Sequence, residues 1–105
     1  RNAMTTEEIR KELKAIRLYY ADKVKMDAAF QVLPHKTADL VRSYAEVIRD
    51  APLDLYRIYF ELYVMGLTQE AAAEELNYCC EYVRMKNKKL LEYLRENISK
   101  RREAA

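Results

Sequence analysis

One glycine and two prolines stand in 105 residues, and this shortage of chain breakers constrains the fold most. Half of the residues are apolar or tyrosine and a third are charged, which is the profile of an all-helical soluble protein. The length suits one small domain, able to bury a real core but only moderately stable on its own. The breakers Pro34, Pro52 and Gly66 then divide the chain.

Residues 5–31 read as one long amphipathic helix. Thr5 and Glu8 have capping-box spacing, with acids in the first turn. Ile9, Leu13, Ile16, Tyr20 and Val24 follow at three- and four-residue spacing, flanked by Leu18 and Tyr19 and closed by Phe30. At about 1.5 Å per residue such a helix spans roughly 40 Å, so it must lie along other helices or pair with a second copy. Leu33-Pro34 breaks it, since proline restricts the residue before it and lacks an N–H. His35 reads as a turn or capping residue. A second helix over 36–50 buries Leu40, Val41, Tyr44, Val47 and Ile48, and the short connection predicts an antiparallel hairpin over 5–50. Pro52 suits the first turn of a third helix, and Asp54 its positive end. That helix, over 53–65, buries Leu55, Ile58, Tyr59, Leu62 and Met65, widened by Tyr56, Phe60 and Tyr63.

The stretch from Gly66 to Leu94 is the most informative. Gly66 ends the third helix in a left-handed conformation that a β-carbon disfavours. Thr68 caps a helix of about eight residues, on which Ala72, Ala73 and Leu76 share a face. The small Ala72 and Ala73 allow close approach of another helix. Asn77 suits a left-handed turn. A further helix then starts near Cys79 or Cys80, turns Val83, Asn87, Leu90 and Leu94 inward, and runs to about Ile98. Residues 99–105 read as a basic, frayed tail. Arg1-Asn2-Ala3 before Met4 reads as an expression scar, so that residues 1–4 are scar and start.

Gly66-Leu67-Thr68, Ala72-Ala73, Leu76, Asn77 and Val83 together resemble the helix-turn-helix in the fourth region of sigma-70-type transcription initiation factors and of phage sigma-like regulators. Glu75-Leu76-Asn77-Tyr78 looks most like the phage late-gene activator branch, and Pro52 precedes Gly66 by the family's separation. The resemblance covers residues 52–94. Cys79 stands where the family has a capping serine, Glu61 and Leu62 look exchanged, and Asn87 replaces a buried leucine or histidine. The whole chain is expected to be all-α: the long N-terminal hairpin over 5–50, read from its own stripe and break, and then, as the resemblance implies, a three-helix, sigma region 4-like helix-turn-helix unit over 51–98. The resemblance implies a DNA-binding transcription regulator of phage or prophage type, with double-stranded DNA and RNA polymerase as partners.

On that reading the helix from about residue 80 enters the major groove. Cys80, Glu81, Arg84, Met85 and Lys88 are the candidate base readers, with Arg84 suited to a bidentate contact to guanine and Glu81 to accepting from cytosine N4. Thr68, Gln69, Lys86 and Lys89 are the candidate phosphate contacts. The net charge of +2 hides an asymmetry. Arg84, Lys86, Lys88, Lys89, Arg95, Lys100, Arg101 and Arg102 make the C-terminal part basic, whereas Glu70, Glu74, Glu75 and Glu81 make the preceding stretch acidic. No nucleophile-base constellation, phosphate loop or metal-spaced set appears, which argues against an enzyme, a metal or another cofactor. The adjacent Cys79 and Cys80, with His35 alone, argue against a disulfide framework or structural zinc and for a reducing cytoplasm. One of the two cysteines is expected to pack inward and the other to line the DNA face. No apolar run reaches membrane-spanning length. The competing reading is a helical interaction module that works through the long first helix, which also offers a homodimer surface over 5–31.

Overall fold

A computed structural model describes residues 4–29 and 35–104, and every regular element among them is helical. α1 spans Thr6–Ala29, α2 His35–Arg49, α3 Leu53–Tyr59, α4 Gln69–Leu76 and α5 Cys80–Ala104, and a π-helical segment over Phe60–Val64 continues α3. The Leu33-Pro34 break, Phe30, and the side chains of Val24 and His35 lie outside the described residues, as do residues 1–3.

Local signals set the helix ends. The capping box at the start of α1 is complete: Glu8 N–H donates to Thr5 Oγ1 at 3.1 Å and Thr5 N–H to Glu8 Oε1 at 2.8 Å. Two otherwise orphaned donors are thereby satisfied. Pro52 stands at φ −54° before α3, and its carbonyl accepts from Tyr56 N–H at 2.9 Å. Gly66 adopts φ 75°, as its place after the third helix predicts. Arg17 of α1 reaches over, and its Nη2 donates to the Gly66 carbonyl at 2.7 Å and to that of Leu67 at 3.3 Å. A cation thus satisfies two carbonyls of the connection between the π segment and α4.

The core is one cluster drawn from every helix. Ile9, Leu13 and Ile16 of α1 meet Val41, Tyr44 and Ile48 of α2, Leu55, Ile58, Tyr59 and Leu62, and the α5 row of Val83, Leu90, Leu91, Leu94 and Ile98. α5 touches each of the other four α-helices. Burying a leucine such as Leu90, which is wholly enclosed, contributes about 1.5–3 kcal/mol.

Two sequence expectations fail here. The spacing predicts Met65 on the buried face of the third helix, but it is 58% exposed. The π segment explains this: Met65 N–H bonds to the Phe60 carbonyl, five residues back, at 2.8 Å. A π turn advances fewer degrees per residue than an α turn, so Met65 rotates off the line that Leu62 ends. The frayed tail is also corrected, since α5 remains helical to Ala104. Ser99 is buried and accepts from Met4 N–H at 2.9 Å. Arg101 pairs with Glu46 of α2. Arg102 forks onto Glu12 of α1, with Nη1 and Nη2 at 3.0 and 2.9 Å from its two oxygens. These long-range pairs hold a segment whose composition alone predicts fraying.

Candidate nucleic-acid interface

The α4–α5 corner is built from backbone chemistry. Thr68 Oγ1 accepts from Ala71 N–H at 3.0 Å and caps α4. At the other end Asn77 sits at φ 62°, ψ 41°. Tyr78 N–H bonds to the Ala73 carbonyl at 2.9 Å and Asn77 N–H to that of Glu74 at 3.2 Å. This pair of bonds is a Schellman closure, and it requires the left-handed residue. Ala72 and Ala73 are buried and let α4 lie close to α5, which it contacts.

α5 then presents two opposite faces. Val83, Asn87, Leu90 and Leu94 are buried. Glu81, Arg84, Met85 and Lys88 are exposed, and their spacing of three and four residues makes one outward stripe. Cys80 is exposed at its edge and Lys89 beside it. Thr68 is exposed and Gln69 half-buried at the start of α4. The structure therefore brings all the candidate base readers to one surface. Lys86 stands apart from them: its Nζ lies 2.5 Å from Asp54 Oδ2 of α3 and 5.4 Å from the centroid of the Tyr82 ring, with only 15% of its side chain exposed. The hydrogen bond from Lys86 holds the Asp54 carboxyl below the usual carboxylate range, and the same bond pushes the Lys86 ammonium up.

The cysteine expectation is also corrected, because Cys79 and Cys80 are both free thiols and both exposed. The left-handed turn at Asn77 leaves Tyr78 and Cys79 outside before α5 begins, and Cys80, the first residue of α5, lies on its exposed side. The rings of Tyr78 and Tyr82, 4.4 Å apart, brace this turn. Sequence reasoning did not find Asp54 as the partner of Lys86, nor Tyr63 as the partner of Asn87. The Tyr63 hydroxyl donates to Asn87 Oδ1 at 2.7 Å. Pairs separated by 32 and 24 residues leave no periodic trace.

Glu70, Glu74 and Glu75 are exposed on α4, so an acidic surface adjoins the stripe. Elsewhere, an open apolar groove of about 760 Å³ runs between α1, α2 and α3, with Tyr20, Ile48, Tyr56, Phe60 and Val64 among its lining and Arg42 and Arg49 at its rim. Among the described residues no group of acidic, histidine or cysteine side chains is placed to hold a metal, and no helix is long and apolar enough to cross a membrane. No family model, curated protein or solved structure matches the chain.

Proposed function

We propose that this chain is a DNA-binding transcription regulator in which α4 and α5 act as a helix-turn-helix like that of sigma-70 region 4. The observation that carries the reading is the stripe of Glu81, Arg84, Met85 and Lys88. It faces outward from a helix held to the core by Val83 and Leu90 and preceded by a fixed left-handed corner. An α-helix fits the major groove and reads bases with its early residues, and these four lie in its first three turns. Lys89 supplies phosphate attraction, aided by the α4 start at Thr68 and Gln69. Lys86, engaged by Asp54, supports the corner and is left out of the contact set. RNA polymerase is the protein partner that a sigma-like regulator implies.

Fluorescence anisotropy of a labelled random-sequence duplex at two salt concentrations tests the reading. Wild-type affinity should fall steeply as salt rises, because bound phosphates release counterions. Arg84→Ala/Lys88→Ala should weaken binding by about tenfold or more. A folded wild-type chain that ignores duplex DNA at low salt refutes the proposal.

The exposed groove favours a second reading, a helical interaction module that pairs with a second copy of itself. The α1 stripe of Ile9, Leu13 and Ile16 is enclosed in the chain's own core, so the pairing surface would be the groove, to which Tyr20 belongs. Leu53, Tyr56 and Phe60 are 63%, 41% and 39% exposed, an apolar row of the kind that marks contact sites. Sedimentation velocity decides this reading: dimers that Phe60→Lys dissolves support it, and a monomer at all concentrations removes it.

A further inference from the structure

We propose that Glu81 is a positioning residue for Arg84 and sets the protein's preference for guanine without itself reading a base. The inference rests on the DNA-binding reading above and assigns Glu81 a role different from the cytosine contact that its residue type suggests.

The geometry is a side-on pair. Arg84 Nε donates to Glu81 Oε1 at 3.3 Å, and Arg84 Nη2 donates to Glu81 Oε2. A guanidinium carries five N–H donors in a rigid planar fork. The side-on pair uses the Nε–H and one N–H of Nη2. The tip of the fork, made by the other Nη2–H and the Nη1 donors, takes no partner among the described residues. Those parallel donors match O6 and N7 of guanine in the major groove. Glu81 therefore fixes the plane of Arg84 and leaves its reading edge open. Both carboxylate oxygens already accept from Arg84, so the charge of Glu81 is directed to the guanidinium rather than to a base.

Position on the helix supports the role. Glu81 lies in the first turn of α5, where the positive end of the helix favours a carboxylate. It precedes Arg84 by three residues, on the same face. The two side chains are 71% and 54% exposed respectively, and an exposed ion pair contributes little to folding. Its effect belongs to recognition: a guanidinium already held in its docking plane loses less freedom on binding. Without Glu81, Arg84 is free to swing to a phosphate, which carries no sequence information.

Enrichment of a duplex pool randomised at its centre tests this, with wild type, Arg84→Ala, Glu81→Ala and Glu81→Gln compared by sequencing the bound fraction. Wild type should enrich guanine at one position, and Arg84→Ala should abolish that preference. Glu81→Ala should reduce it about tenfold at the same position. Its affinity for the unselected pool should hold or rise, and its log–log salt slope should steepen by up to about one. Its melting temperature should fall by no more than a few degrees, and Glu81→Gln, with one acceptor oxygen, should show an intermediate guanine preference. Three results overturn the proposal: Glu81→Ala keeps the full guanine preference; Glu81→Ala instead loses a cytosine preference elsewhere; or wild type binds duplex but enriches nothing, which leaves the DNA-binding reading standing. If wild type binds no duplex, both fall together.

Discussion

Removing one oxygen from each of two neighbouring tyrosines should move stability in opposite directions. Tyr59 and Tyr63 lie one turn apart, with ring centroids 5.9 Å apart, and both belong to the segment that passes from α3 into the π turn. The Tyr63 hydroxyl donates to Asn87 Oδ1 at 2.7 Å, and Asn87 is only 7% exposed. Tyr63→Phe leaves that oxygen buried without its donor, which costs about 1–3 kcal/mol. For a domain of this size each kcal/mol shifts Tm by roughly 4–8 °C, so a fall of about 10 °C is expected. The Tyr59 hydroxyl is buried and has no hydrogen-bond partner among the described residues. Tyr59→Phe removes an unmet desolvation cost, and Tm should stay level or rise by a few degrees. A third variant completes the logic. Tyr63→Phe/Asn87→Leu replaces both partners by apolar groups, which is nearly neutral in such pairs, and it should recover most of the loss. Thermal melts followed by circular dichroism at 222 nm measure all three. The reasoning is refuted if Tyr63→Phe melts within about 2 °C of wild type, or if Tyr59→Phe falls as far as Tyr63→Phe.

Asn77→Gly should be neutral or slightly stabilising at φ 62°, whereas Asn77→Ala should cost about 1 kcal/mol, read by urea unfolding. The Asp54–Lys86 pair should stabilise the fold across a pH plateau. The depressed Asp54 pKa contributes above the ordinary value of 3.8 and is lost as pH falls through its folded value; the raised Lys86 pKa contributes below 10.5 and is lost as pH rises through its own. Asp54→Asn should therefore lower Tm at pH 7 by more than at about pH 3, and an equal gap at both would contradict this. Burial holds Tyr44 and Tyr59 protonated far above pH 10, Tyr44 aided by its hydrogen bond to Glu12. Above pH 10 each should lose the fold about 1.4 kcal/mol per pH unit. Absorbance at 295 nm should then show these two of the nine tyrosines ionising only as helicity collapses, and nine free titrations in a folded chain would be the contrary result.

What was legible in the sequence is what neighbouring residues decide. Thr5 with Glu8, Thr68 with Ala71, Gly66 and Asn77 each act within about one helical turn, and the structure places each as its chemistry predicts. The buried lines of α1 from Ile9 to Ile16, of α2 and of α5 were legible too, because period is itself a local signal. What escaped was decided across the chain. Met65 turns outward because of a π segment that no spacing announces. Lys86 looked like one more basic residue until Asp54, 32 positions away, claimed it. The end of α5 looked frayed because the carboxylates of Glu12 and Glu46 that hold it lie on other helices. The outward stripe was legible as a set of residue types, but the Glu81–Arg84 fork was not, since spacing says that two side chains meet and not by which edge.

The reach of α5 has a mechanical corollary. At about 1.5 Å per residue its 25 residues form a rod roughly 37 Å long. One end carries Glu81 and Arg84. The other is gripped by Met4, Glu12 and Glu46 through Ser99, Arg102 and Arg101. A straight helix behaves as a lever, so each degree of tilt about the gripped end displaces the far tip by roughly 0.6 Å. A shift of a few degrees would be comparable to the length of a hydrogen bond; Val83 and Leu90, buried along the rod, hold it against such tilt, and the glutamates on α1 and α2 add a second anchor at the end remote from Glu81 and Arg84.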